Sequence, residues 1–305
     1  MLLDVSEITK FYKHVENVFT DWAHTQEHIR AAVVVGSRAR KNYTADQWSD
    51  LDLVIFSTTP ALLIESEDWI SQFGTPIITF LEPTASGGRE RRVLYTNGLD
   101  VDFAITPYVM LQQTAEEGVT DELARDTANV YQRGYRIIID KEKILAKVLR
   151  KLKNYKLPPP GAPAEDEFCE RVKDFWYHAV WTAKRLRRQE LWEAKGGLDS
   201  YMKYRCLLPM IEWHTRVKQR SNHDTWFRGR FLEQWADPRI VIGLREAFAH
   251  YDEDDMWHAL AGSMNLFRVM AFEVAEQLGY TYPKEADQFA SQWVDAAYWD
   301  REPTE

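Results

Sequence analysis

The chain has 305 residues, 45% of them hydrophobic, which is enough for a well-buried core and on length alone favours two domains over one. A formal net charge of −9 disfavours a nucleic-acid partner, since such proteins present a basic face, and suits a cationic substrate. Two cysteines, Cys169 and Cys206, without a CxxC or His-rich tract, indicate neither a disulfide framework nor a zinc site.

Asp4, Glu7 and Lys10 stand where a signal peptide needs an apolar core, and no window approaches the roughly 18 apolar residues of a spanning helix. A soluble, cytoplasmic protein without a membrane partner is expected.

In chain order, Val5, Ile8, Phe11, Tyr12, Val15, Val18, Phe19 and Trp22 recur at helical spacing and predict an amphipathic helix. The β-branched run Ala31–Val35 predicts a buried strand, and Gly36 marks a tight turn or a close approach to a ligand. A second apolar strand runs from Leu53 to Phe56. Pro60 is expected to open a helix reaching Phe73, closed by Gly74.

Pro76–Leu81, Arg91–Leu94 and Leu99–Ile105 predict three further strands, joined through Gly87-Gly88 and Asn97-Gly98. Residues 109–128 are expected to be helical, and Arg136–Ile139 to form a last strand. The sum is an α/β (α+β) fold with a mixed sheet and helices.

Leu157-Pro158-Pro159-Pro160-Gly161-Ala162-Pro163 can continue neither a helix nor a central strand, so the expected domains are 1–157 and 158–305. Beyond it only helices are predicted. One carries Phe168, Val172, Phe175, Trp176, Ala179, Val180, Ala183 and Leu186; another carries Met256, Leu260, Met264, Phe267, Met270, Val274 and Leu278 and stops at Gly279. The run Asp252 to Asp255 suits that helix's N-terminal cap. Between them Tyr201–His214 is a third helix, with Pro209 expected to kink or break it.

The chemistry concentrates in Gly36 to Phe56. Twelve residues separate Ser37 from Asp50-Leu51-Asp52, whose two carboxylates point to one face of a strand. A Gly-Ser after one strand, Asp-x-Asp on the next and a third strand with another carboxylate suit two-metal phosphoryl or nucleotidyl transfer. Gly36 lets backbone N–H groups approach a triphosphate, and Ser37 adds a hydroxyl donor. Asp50 and Asp52 suit Mg²⁺, which takes carboxylates together with substrate phosphate oxygens. The third carboxylate is Asp102 or Asp100; Asp102, between Val101 and Phe103, is the choice, as general base or as ligand of a second metal.

Together, Gly36-Ser37, the gap of twelve, Asp50-Leu51-Asp52-Leu53 and the later Asp102 resemble the signature of the polymerase-beta-type nucleotidyltransferase superfamily, over the first domain. Gly36-Ser37-Arg38, Lys184, the segment Leu207-Leu208-Pro209-Met210-Ile211-Glu212-Trp213 and Tyr280-Thr281-Tyr282-Pro283 resemble the aminoglycoside 6-adenylyltransferases, the streptomycin-modifying group, over nearly the whole chain. The resemblance implies an enzyme that transfers AMP from ATP to an aminoglycoside hydroxyl and releases pyrophosphate. It implies Mg²⁺ on Asp50 and Asp52, Asp102 activating the hydroxyl, and a helical domain closing the other wall of the cleft.

Arg38 is then the first candidate for the triphosphate, with Arg40 and Lys41 beside it and Lys184 and Arg230 further along. A polycationic acceptor calls for carboxylates, and Glu82, Asp100, Asp174 and Glu212 are the candidates. Arg89, Arg91 and Arg92 read as hairpin surface.

Overall fold

Asp4 starts the first helix, α1 (Val5–Thr25). Its carboxylate accepts the Glu7 N–H, and Glu7 accepts the Asp4 N–H in return, so two N-terminal donors are satisfied reciprocally. Ile8, Tyr12, Val15, Phe19 and Ala23 form its buried stripe. In this computed structural model the described residues are 4–84, 88–120, 123, 127, 130–156, 161–219 and 224–300. Gly87, Leu157–Pro160 of the predicted boundary and part of the predicted 109–128 helix lie outside them.

Residues 1–157 and 158–305 are separate compact units. The first is built on a six-stranded sheet of β1 (Ile29–Val35), β2 (Leu51–Ser57), β3 (Pro76–Pro83), β4 (Arg89–Tyr95), β5 (Asp100–Pro107) and β6 (Arg136–Asp140), in the order β3-β4-β5-β2-β1-β6. Only β2 and β5 run parallel, so the sheet is mixed. One face carries Ala32, Val34, Leu51, Leu53, Ile55, Val93, Val101 and Phe103 and packs under α1. The other carries Ala31, Val33, Val35 and Phe56 and packs on α3 (Tyr108–Glu117) and α4 (Ile144–Asn154). Asp52 and Asp102 belong to that second face by the period of two.

The helix expected from Pro60 to Phe73 is shorter. It divides into α2 (Ala61–Ile64) and a 3₁₀ turn (Asp68–Phe73), because Leu63, Trp69, Ile70 and Phe73 must all reach the core from a short span. The helix expected over 109–128 is cut at Gly118, where φ of +102° ends α3. Helix α4, whose Leu145, Val148, Leu149 and Leu152 are buried, was not among the predicted elements.

The second unit is helical throughout its regular elements. Its frame is α5 (Glu165–Arg187), with α6 (Leu191–Lys195), a π-helix (Gly196–Leu207) running into α7 (Leu208–Gln219), then α8 (Leu232–Trp235), α9 (Pro238–Gly243), α10 (Glu253–Leu278) and α11 (Lys284–Trp299). Phe175 of α5 stacks on Phe267 of α10 with centroids 3.8 Å apart at the centre of this core. Asp252 caps α10 by accepting the Asp255 N–H, and Gly279 ends it at φ +71°.

Pro209 neither breaks nor ends its helix; it sits where π-type hydrogen bonding gives way to α-type. The carbonyl of Arg205, which an amide four residues on would have bonded, accepts instead from the Arg171 guanidinium. Among the described residues no helix is long and apolar enough to cross a membrane.

Candidate active site

Register brings the acids together. Asp52 of β2 stands directly across from Asp102 of β5, and Asp50 precedes β2 by one residue. Oxygens from Asp50, Asp52 and Asp102 all lie within 4.8 Å of one another. Asp100, also on β5, is half-buried and outside this group; burial first, then the Asp50 charge, raise its carboxyl. Of the two candidates on β5, Asp102 is the one whose oxygen lies in the group with Asp50 and Asp52.

Three carboxylates this close resist ionising together. Asp102 is 3% exposed, and burial, with Glu90, Asp50 and Asp52 adding repulsion, pushes it up to about 8 although Arg92 pulls it down. A divalent cation removes that conflict, and an all-carboxylate donor set matches a hard ion that keeps phosphate oxygens and water in its remaining positions.

Gly36 makes the tight turn expected of it, and the group that approaches it closely is a carboxylate of this chain. Its φ is +66°, and a Cβ there would lie 1.9 Å from Asp52 Oδ2, so the space a side chain would fill holds the carboxylate. Ser37 is buried, and its Oγ makes no hydrogen bond, which leaves a hydroxyl unspent one residue from that contact.

Arg38 acts as a clamp. Its Nε donates to the Asp50 carbonyl at 2.9 Å and its Nη2 to the Ser49 carbonyl at 2.7 Å, while its guanidinium carbon sits 3.5 Å over the Tyr12 ring. It holds the loop that delivers Asp50. Burial lowers its pKa.

Arg91 and Arg92 are not hairpin surface. Alternation along β4 sends Arg91, 2% exposed, to the α1 face, where it bonds the Ile64 carbonyl and Glu67 and ties down α2. Arg92 goes to the acidic face, directly across from Asp102: Nη1 donates to Asp102 Oδ2 at 2.6 Å and Nε to Glu82 Oε2 at 2.7 Å, with Glu90 3.6 Å away. Glu82 is thus paired with Arg92, and Glu90, opposite Glu82, is raised chiefly by burial. Neither Arg92 nor Glu90 was a candidate from sequence; four charges in Arg89-Glu90-Arg91-Arg92 mimic a solvated turn, and only the pairing register shows where each points.

The other candidates lie in the second unit. Lys184 is exposed, with its ammonium 5.3 Å from the Trp293 ring centre. Arg230 is exposed and its carbonyl accepts the Trp235 indole N–H. Asp174 accepts from Tyr201 at 3.2 Å and lies 2.8 Å from His178 Nδ1. Glu212 pairs with Arg216 at 3.1 Å, and burial raises its carboxyl despite that partner.

A family model described as streptomycin adenylyltransferase matches residues 9–296. An aminoglycoside 6-adenylyltransferase of Campylobacter jejuni is 24% identical over 278 residues, covering 89% of this chain and 90% of that one. Another, of Bacillus subtilis (strain 168), is 23% identical over 295 residues, covering 92% and 96%. The crystal structure of an aminoglycoside 6-adenyltransferase from Bacillus subtilis aligns over 93% of this chain and 97% of its own, at 21% identity and a TM-score of 0.44.

Proposed function

The chain belongs to the streptomycin adenylyltransferase family and is a nucleotidyltransferase, and from that premise we propose that it transfers AMP from ATP to a hydroxyl of a streptomycin-like aminoglycoside. The observation that carries the chemistry is the cluster of Asp50, Asp52 and Asp102 oxygens within 4.8 Å of one another.

Asp50 and Asp52 would hold Mg²⁺, and Asp102 closes the donor set from the neighbouring strand. Bound there, Mg²⁺ supplies charge neutralisation for the triphosphate and polarises the reacting phosphoryl group. The chain's own residues do the rest. Gly36 keeps Asp52 in place, Ser37 places a buried hydroxyl without a partner beside it that would donate to a phosphate oxygen once the loop admits one, and Arg38 fixes the loop that carries Asp50.

Asp102 takes the proton of the acceptor hydroxyl as its oxygen attacks the α-phosphorus. The bond from that phosphorus to the β-phosphate oxygen breaks, giving the adenylylated acceptor and pyrophosphate. In-line positioning can supply about 7–11 kcal/mol of such a barrier, and a general base about 10²–10⁴-fold. Glu82 is taken up by Arg92, which leaves Asp100, on the same unit as the cluster, as the carboxylate for the acceptor's ammonium groups. The net charge of −9 suits that cationic substrate and disfavours nucleic acid, and ATP as donor implies the cytoplasm.

The test is pyrophosphate release from ATP and Mg²⁺ across a panel of aminoglycosides, with mass spectrometry for an added AMP. Release with streptomycin or a relative is expected; silence across the panel would sink the substrate assignment.

A further inference from the structure

We propose that Arg92 is a positioning residue: by gripping Asp102 Oδ2 it fixes the third carboxylate in the orientation in which it shares a divalent cation with Asp50 and Asp52. The inference rests on the metal-dependent reading of the cluster given above.

The geometry is a row across three strands. Asp52 faces Asp102 in the parallel β2–β5 register, and Asp102 faces Arg92 in the antiparallel β5–β4 register. Directly opposed residues on one face of an antiparallel pair hold their Cβ atoms about 4.5–5.5 Å apart, which sets Arg92 against Asp102, and the parallel register sets Asp52 across from Asp102, so the backbone places all three side chains before any ligand arrives. The 2.6 Å bond from Arg92 Nη1 ties one Asp102 oxygen and thereby the plane of the carboxylate.

Arg92 is itself held from its other edges. Nε bonds Glu82 Oε2 at 2.7 Å, and Nη2 lies 3.6 Å from Glu90 Oε2. Three acids on three strands thus grip one planar fork, which a lysine's single ammonium cannot reproduce. A cation retained only to dilute negative charge would not need this.

The two roles differ in the sign of their effect on metal binding. A mere neutralising charge competes with the metal, so removing it strengthens binding, and replacing it with lysine changes nothing. A positioning residue does the opposite: outer partners of metal ligands typically contribute about 10–100-fold in affinity or activity.

The experiment titrates the full chain with Mn²⁺, in place of Mg²⁺, by calorimetry, using wild type, Arg92→Ala and Arg92→Lys, with thermal melting as the check on folding. Expected are a loss of about 10–100-fold for Arg92→Ala and a partial loss for Arg92→Lys, both with melting close to wild type. Glu82→Gln, which removes one grip on the fork, should fall between wild type and Arg92→Ala. Tighter Mn²⁺ binding in Arg92→Ala, wild-type affinity in Arg92→Lys, or no Mn²⁺ binding by the wild type would each overturn the proposal. The titration needs no acceptor, so a wild type that binds Mn²⁺ but adenylylates no aminoglycoside sinks the substrate assignment and leaves Arg92 to be judged by the titration.

Discussion

Asp102 in the first unit and Asp287 in the second are both buried carboxylates, and they live in opposite charge environments. Asp287 accepts from Arg268 Nε and Nη2 at 2.8–3.1 Å, from the Tyr282 hydroxyl at 2.9 Å and from Ser291 Oγ at 3.0 Å. Nearby in the same unit Glu273 collects His214, Lys218 and Arg239. Asp102 instead shares one arginine with Glu82 and Glu90 and has two more aspartates beside it. A carboxylate with its own surplus of donors is finished and serves the fold. The Asp50, Asp52 and Asp102 group brings like charges together, and under the proposed function a divalent cation would offset that repulsion.

The comparison can be broken most sharply by substitution at its acidic end. Asp50→Ala or Asp52→Ala should abolish turnover, and Asp102→Asn should lower kcat by about 10²–10⁴-fold while ATP still binds. Removing one of several like charges should leave the melting temperature of the metal-free protein level or higher. A steep loss of stability would mean the cluster is structural, like that of Asp287.

At the other end, Asp287→Ala removes the only carboxylate bonded to the Arg268 guanidinium among the described residues and should destabilise the protein by about 3–5 kcal/mol in urea unfolding. Should it cost no more than a surface change, the contrast between the two sites would collapse.

The smallest effect is in pH. The Asp102 carboxyl is raised in the folded chain, so the stability it lends without metal is fully present below its ordinary value near 3.8 and is lost as pH rises through about 8. Glu273 runs the other way. Burial opposes its ionisation, but Lys218, His214 and Arg239 hold it down at about 2, so its contribution is present above the ordinary 4.5 and fades as acid carries it toward 2. Hydrogen exchange, corrected for intrinsic rates, should show β5 losing protection between about pH 4 and 8 and levelling off above that unless Mg²⁺ is added, with α10 indifferent to Mg²⁺. Equal Mg²⁺ sensitivity in both segments would count against the assignment.

Much of this was legible in the sequence, and the limits have physical causes. Strands β1 and β2 announce themselves because each is a short β-branched run beside a turn, and the acids of Asp50-Leu51-Asp52 share a face by period two. Whether Asp100 or Asp102 joins them depends on register, which no single strand encodes. Arg92 was hidden for the same reason. Helix α4 did carry its signal, with Leu145, Val148, Leu149 and Leu152 at helical spacing.

In the second unit, parts of the segments that carry the family resemblance turn out to hold its interior together. Tyr282 links the Trp176 indole to Asp287, and the Tyr280 hydroxyl bonds the Pro163 carbonyl. Pattern alone does not distinguish such packing residues from ligand contacts, because both demand a particular side chain at a particular place.

The Arg38 clamp bears on how such chains can vary. Ser37 and Ala45 are tied by a backbone bond, Asp46 turns the chain onto Ser49, and Arg38 holds the Ser49 and Asp50 carbonyls from below. Asp50 is therefore delivered by anchors at the two ends of the loop rather than by its length. Residues 41–44 lie between those anchors, so a change of length there is expected to disturb Asp50 less than loss of Arg38 would. An arginine after the Gly-Ser is thus expected to matter more to the delivery of Asp50 than the interval of twelve does.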